Sequence, residues 1–178
     1  MVQINIEKIL RLKETKRTGW VEANIDSPES VADHSYSVSL LSVIIADLLK
    51  DEIEVDMRKI SLGSLLHDLG EAETGDVVAK NVEELERERN GIEKILESFP
   101  LKEEYLEIWD EHLNDSVEGT IIKAADNLDM LIQARDYKKK GASNPKIDEI
   151  AESAQRNLGK CIKKIPALEK VLELLDNG

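Results

Sequence analysis

The segment from Leu65 to Asp76, Leu-Leu-His67-Asp68-Leu-Gly70-Glu71-Ala-Glu73-Thr-Gly75-Asp76, concentrates groups that bind cations and move protons. Neutral imidazole and carboxylate oxygen are both ligands for divalent metals of borderline hardness. On a helix, His67 and Glu71 are four apart and Asp68 and Glu71 three apart, so they can share a face. Gly70 and Gly75 punctuate the segment, as expected where a helix stops and backbone approaches a ligand. Asp76 follows the second of these bends. The segment reads as one half of a metal site. A His-Asp pair alone is a weak signal, because a histidine on an apolar helix is more often a hydrogen-bonded core residue, so the remaining ligands must come from elsewhere in the chain.

Three helices are expected to carry them. One runs from about Ser30 to Leu49, with Val31, Val38, Leu41, Ile45 and Leu48 on its apolar face, and His34 shares that face four residues before Val38. A second starts at Asp56 as N-cap and carries Ile60, Leu65 and Leu66 toward His67. The third, Val117 to Lys139, places Asp126 directly after Ile121-Ile122-Lys123-Ala124-Ala125, where a buried carboxylate needs a partner or a metal. Helix bundles build metal sites from side chains on facing helices. Two histidines and two aspartates leave positions for water or substrate on an octahedral metal.

The dominant periodicity along the rest of the chain is helical, and no stretch sustains strand alternation, so the fold class expected is all-α. A first helix is expected over Ile4 to Lys16, followed by an irregular segment, Arg17-Thr-Gly19-Trp20-Val-Glu. Val82 to Glu97 alternates Glu and Arg and reads as a solvated face laced with ion pairs. Leu101 to Leu113 is an acidic amphipathic helix with Leu101, Tyr105, Ile108 and Trp109 buried, and His112 among acids at the surface. Lys138 to Lys146 reads as a hinge loop. Ile147 to Ile162 and Pro166 to Leu175 close the fold. Each of the four prolines is read at a helix start. Asp129 is expected to ion-pair along its own helix, Lys80 and Lys123 to be solvated with phosphate contact as the alternative, and Asp33 and Ser35 to cap or support His34.

At 178 residues the chain is expected to be one domain, 1–178, with room for a sizeable core. No apolar run reaches the length of a membrane span, and no secretory signal is visible at the N-terminus. The single cysteine, Cys161, excludes an internal disulfide and is compatible with a cytoplasmic, reducing location. The net charge of -13 argues against nucleic acid as the main partner. A bound divalent cation would reverse the local sign for a small anionic substrate.

The order His34, His67-Asp68, Asp126 resembles the HD-domain metal-dependent phosphohydrolases. Lys16-Arg17-Thr-Gly-Trp20-Val, Pro28-Glu-Ser30-Val-Ala-Asp33-His34-Ser35, the His67-to-Asp76 segment and Lys123-Ala-Ala-Asp126 resemble, more narrowly, the HD-domain 5'-deoxynucleotidases. The resemblance covers about Leu12 to Tyr137. It implies an all-helical HD bundle, commonly a homodimer, that hydrolyses deoxyribonucleoside 5'-monophosphates to the deoxynucleoside and phosphate with a divalent cation (Mn, Co, Mg or Zn). It implies His34, His67, Asp68 and Asp126 as metal ligands, and Glu71 and Asp76 as catalytic groups or ligands of a second cation. It implies Arg17 at the phosphate and Trp20 beside the sugar.

That chemistry is coherent on its own terms. A divalent metal polarises a phosphoryl oxygen and lowers the pKa of bound water. Glu71 can take a proton from that water, and Asp76 can protonate the leaving 5'-oxygen or hold a second cation. The planar guanidinium of Arg17 suits phosphate. Two competing readings stay open: another HD phosphohydrolase acting on a nucleoside triphosphate or cyclic nucleotide, and a metal-stabilised helical interaction module without turnover.

Overall fold

The computed structural model describes residues 6–78 and 81–176. Helix α1 (Ile6–Leu10) tightens into a 3-10 turn (Arg11–Lys13) and leads to α2 (Thr18–Glu22). Then follow α3 (Val31–Leu49), α4 (Met57–Leu66), the single turn α5 (Glu71–Thr74), α6 (Val82–Ile95), α7 (Lys102–Leu113), α8 (Val117–Lys139) and α9 (Pro145–Lys164). A 3-10 segment (Pro166–Val171) and α10 (Leu172–Asp176) end the described chain. Among the described residues there is no strand, only an isolated antiparallel bridge between Lys16 and Ser30. The all-α expectation holds.

The helix boundaries follow local chemistry. Ser30 and Asp33 form a capping box at the start of α3, so Asp33 serves the helix end rather than His34. Asp56 accepts hydrogen bonds from the Arg58 and Lys59 amides and starts α4 as the sequence implied. Asn81 and Glu84 make a second capping box that starts α6. Pro145 and Pro166 stand at helix starts, but Pro28 and Pro100 lie in the turns before α3 and α7. Arg17 to Glu22 is not irregular: once Arg17 turns extended, α2 forms behind it. The expected start of the first helix at Ile4, and Lys80, lie outside the described residues.

Helix α8 is the axis of the bundle, touching α3, α4, α7 and α9. Val38, Ile45, Leu49, Ile60, Ile121, Leu128, Leu158 and Leu168 form the main apolar cluster around it. A second cluster, Leu12, Val31, Leu66, Leu69, Ile92, Ile95, Leu106 and Trp109, joins α3 to α6 and α7. A third gathers Trp20, Tyr137, Ile147 and Ile150. Burying each such side chain contributes about 1.5–3 kcal/mol.

Three expected core positions differ. Leu48, Leu65 and Leu101 are exposed, while Leu106 is buried in their stead. By length and composition α3 does reach the range of a membrane span, although polar residues interrupt its apolar run. Its Val31, His34, Val38, Ile45 and Leu49 all face the protein core.

Two glycines shape the segment between α4 and α6. Gly75 adopts φ 77° and ψ 164°, a region essentially reserved for glycine, and turns the chain toward Asp76. Gly70 lets α5 and α6 touch: a Cβ there would lie 2.3 Å from Glu88 Cγ and 2.4 Å from the Glu88 carbonyl oxygen. Gly70→Ala therefore forces backbone apart and is expected to destabilise by about 1–3 kcal/mol. Gly159→Ala, in α9 with no atom within 4 Å of the new Cβ, is expected to stabilise by up to about 1 kcal/mol through helix propensity. Thermal denaturation of the two variants gives shifts of opposite sign if this packing is right, and equal shifts refute it.

Candidate metal centre and its cleft

Each proposed ligand arrives on its element for a local reason. His67 follows the last residue of α4, where the helix stops. Its Nδ1–H donates to the Ser64 carbonyl at 2.6 Å, a group that the helix end leaves available. The Trp109 indole donates to the His67 carbonyl at 3.2 Å. With Nδ1 protonated, the lone pair of His67 lies on Nε2, 3.2 Å from Asp68 Oδ2. His34 sits one turn into α3, fully buried, with Nε2 3.2 Å from Asp126 Oδ1 and 3.7 Å from Asp68 Oδ2.

The structure thus brings His34, His67, Asp68 and Asp126 together from α3, α8 and the turn after α4. His34, His67 and Asp68 each offer an atom within 4.8 Å of the others. The Nε2 atoms of both histidines are buried and make no hydrogen bond. Two inward-facing imidazole nitrogens thus point at one spot, each with a carboxylate oxygen 3.2 Å away. They match a divalent cation completed by carboxylate oxygens, so this donor set fits the metal. Asp126 is not fully enclosed; its carboxylate is a third exposed and opens to a cleft of about 340 Å³.

Arg17 closes one side of that cleft. Its Nη1 is 2.9 Å from Asp76 Oδ1 and 3.3 Å from Asp68 Oδ2. Asp76 also accepts the Thr18 amide at 2.5 Å, and Thr18 Oγ1 donates to the Asp76 carbonyl at 2.8 Å. The Asp76 carboxylate therefore caps α2 and fixes the arginine. Glu71, 1% exposed, has a carboxylate oxygen within 4.8 Å of oxygens of Asp68 and Glu88. Trp20 is buried, donates through Nε1 to Glu29 Oε1 at 2.8 Å and stacks edge-on against Tyr137. It also borders a small cavity with Arg17, Asp76 and Met130, so it combines core packing with a place beside the arginine.

Five residues stand differently from the sequence expectation. His112 is not a surface residue: it is buried in α7, its Nδ1 pairs with the Trp109 carbonyl, and it lines the cleft 6.5 Å from the His67 ring. Glu88 is not on a solvated face; it is 2% exposed and also lines the cleft. Its position on the stripe Leu85, Glu88, Ile92, Ile95 was a signal available in the sequence. Asp129 does not pair along its helix but meets His34 Nδ1 at 2.8 Å. Glu29, beside both, had no signal. Lys123 lines the cleft too, with Nζ donating to the Leu113 and Asn114 carbonyls at 2.8 and 3.2 Å.

Charge around the ligands is strongly coupled. Burial and the Arg17 charge oppose protonation of His34, but the Asp126 and Asp129 carboxylates prevail and push its pKa up to about 10. Desolvation opposes ionisation of Asp126, yet His34, His67 and Arg17 hold it below the ordinary aspartate value. Desolvation, reinforced by Asp129, raises Glu29. Arg17 stays cationic: burial opposes its charge, and Asp68 and Asp76 more than restore it.

A helical bundle that turns two imidazoles and two carboxylates onto one point beside a buried arginine has the architecture of a metal-dependent α-helical protein. The chain belongs to the HD-domain family, whose model, described as an HD domain, matches residues 9–166. It is 33% identical over 152 residues to 5'-deoxynucleotidase HDDC2 of Danio rerio, covering 82% of this chain and 74% of the relative. It is 35% identical over 134 residues to 5'-deoxynucleotidase HDDC2 of Homo sapiens, covering 71% of this chain and 63% of the human protein. A conserved hypothetical protein from Pyrococcus furiosus superposes with a TM-score of 0.83 at 33% identity, covering 97% of this chain and 98% of that one.

His67→Ala and Asp126→Ala are each expected to abolish stoichiometric divalent-metal binding, read by elemental analysis after chelation and reconstitution. In the metal-free chain His34 carries a proton below about pH 10, and a metal must displace it. Apparent affinity should therefore fall as pH falls, by up to about tenfold per pH unit. Calorimetric titrations in buffers of different ionisation enthalpy should show the released proton. An affinity flat between pH 6 and 9 contradicts this site.

Proposed function

We propose that the chain is a divalent-metal-dependent 5'-deoxynucleotidase, hydrolysing deoxyribonucleoside 5'-monophosphates to deoxynucleoside and phosphate. The observation that carries the reading is the convergence of His34, His67, Asp68 and Asp126 at a cleft bordered by Arg17. The names of the zebrafish and human relatives support it. The cleft volume falls in the range of small-molecule sites, about 300–1,000 Å³.

In this reading His34, His67, Asp68 and Asp126 hold the cation, with nitrogen–oxygen ligation suited to Mn, Co or Zn as well as Mg. The bound cation supplies Lewis-acid polarisation of a phosphoryl oxygen and a water of lowered pKa. Arg17 presents its remaining N–H donors to the phosphate. Asp76 holds that arginine in place, because both its oxygens are already engaged by Arg17 and Thr18. Glu71 is then the carboxylate that accepts the water's proton. In the alternative division Glu71 and Asp76 would hold a second cation, and Asp76 would then have to give up a contact with Arg17 or Thr18. Trp20, fixed by Glu29, crowds the sugar.

We further propose one domain over 1–178, since the main and third apolar clusters share Met130 and Ala151. Cytoplasmic residence is supported by the free, buried Cys161. The charge of -13 speaks for a small-molecule rather than a nucleic-acid partner, and the buried face of α3 speaks against a membrane role. A homodimer is supported by Tyr36, Leu40, Ile44 and Leu48, an exposed apolar stripe on α3. Sedimentation should give a dimer for wild type and a monomer for Leu40→Asp; an unchanged dimer in the variant removes α3 from the interface.

The activity is tested by screening nucleoside mono-, tri- and cyclic phosphates for phosphate release with Mg, Mn, Co or Zn. Deoxymonophosphates should be turned over, and chelation should stop the reaction. Glu71→Gln should keep fold and metal while losing about 10²–10⁴-fold in kcat. A hydroxyl desolvated against the Trp20 ring costs about 1–3 kcal/mol, so kcat/KM for dAMP should exceed that for AMP by about ten- to a hundredfold. Trp20→Phe should narrow that gap, and Arg17→Ala should weaken both substrates alike. Equal wild-type values for dAMP and AMP refute the sugar selection. Metal binding without turnover of any nucleotide leaves the interaction-module reading standing instead.

A further inference from the structure

Asp126 and Asp129 are three apart on α8 and so point the same way from the helix. They meet opposite edges of one ring. Asp126 Oδ1 lies 3.2 Å from His34 Nε2, and Asp129 Oδ2 lies 2.8 Å from His34 Nδ1. Asp129 is 5% exposed and His34 is fully buried, so this pairing is shielded from solvent. Glu29 is grouped with His34 and Asp129, but it accepts the Trp20 indole N–H at 2.8 Å. Asp129 is therefore the group aimed at Nδ1.

We infer that Asp129 is a positioning residue for His34: by accepting the Nδ1–H it fixes the ring's tautomer and angle so that the Nε2 lone pair faces Asp68 and Asp126. The inference rests on the reading of His34 as a metal ligand and goes beyond it. His67 is held in the same sense by a different device, the Ser64 carbonyl. The two imidazoles are thus not equivalent. His67 is oriented by a neutral backbone dipole at a helix end, and any residue at position 64 supplies that carbonyl. His34 lies inside α3, where the nearby carbonyls are used by the helix, so only a side chain from another element can orient it. The carboxylate also adds negative charge behind the ring, which makes His34 the more strongly donating of the two ligands. This ties α8 to α3 twice at one residue, with the metal-facing and rear-facing contacts both supplied by the Asp126–Asp129 pair.

The test uses the full chain, chelated and then titrated with Zn in a calorimeter. Removing a hydrogen-bond partner behind a metal-bound histidine typically costs about 10–100-fold in metal affinity. Asp129→Ala is expected to weaken Zn binding within that range. Asp129→Asn, which keeps the shape and a carbonyl acceptor but loses the charge, should fall between wild type and Asp129→Ala. Melting of the chelated proteins is measured alongside. Variants that melt lower but bind Zn within twofold of wild type show a structural role only and overturn the inference. A second readout needs no variant: in the histidine ¹⁵N spectrum of the Zn-loaded wild type, His34 should carry its proton on Nδ1 and the metal on Nε2. The reverse assignment overturns the inference even if affinities change. A wild type that binds no Zn, Mn or Co overturns the metal reading itself, and this inference with it. A wild type that binds, with both variants binding equally well, overturns this inference alone.

Discussion

Buried like charge is the constraint on which the structure turns. Asp68, Glu71, Glu88 and Asp129 are all nearly inaccessible and lie around His34 and His67. Carboxylates in a low-dielectric interior persist only where cations or well-placed donors compensate them. Arg17 compensates Asp68 and Asp76 on one side, and His34 lies between Asp126 and Asp129 on another. At the centre the two Nε2 atoms make no hydrogen bond and face the Asp126 and Asp68 carboxylates, a donor set that suits a divalent cation. The Asp126 and Asp129 carboxylates raise the proton affinity of His34 as part of the same balance.

Helix ends do much of the positioning. The stop at the end of α4 frees the Ser64 carbonyl for His67, and Gly75 redirects the chain so that Asp76 can cap α2 and grip Arg17. The close approach at Gly70 seats α6 against α5 and so carries Glu88 to the cleft. Chemistry and packing share residues throughout. Trp20 fills the third apolar cluster while bordering Arg17's cavity, and Trp109 fills the second while holding the His67 carbonyl. Substitutions here change stability and site geometry together.

A chain of net charge -13 is a poor host for an anion if charge is averaged over its surface. The averaging misleads, because interactions between exposed charges are screened beyond about 10 Å. Many surface carboxylates are paired locally, as in Arg89–Asp110 and Lys59–Glu111. The cleft itself holds Arg17 among Asp68 and Asp126, and a cation bound by those carboxylates would add positive charge there. Local arrangement decides the sign that matters for binding.

The sequence by itself determined the helical fold, most helix boundaries, and the residues with metal-binding chemistry. Periodicity, caps and the rarity of a carboxylate after Ile-Ile-Lys-Ala-Ala are local properties, readable wherever they occur. Asp56 as a cap and the span of α8 came directly from such signals. What local signals could not supply was which long-range neighbour each polar side chain meets. His112 and Glu88 sit among charges in sequence, yet their helices turn them inward. Asp129 has no cation three or four residues away on its own helix and instead meets a ring 95 residues away. Asp76, expected at the chemistry, spends its oxygens on Arg17 and Thr18. Only tertiary structure decides these, because a hydrogen bond or ion pair depends on distances set by packing between helices, and those are fixed by the whole bundle rather than by any one segment.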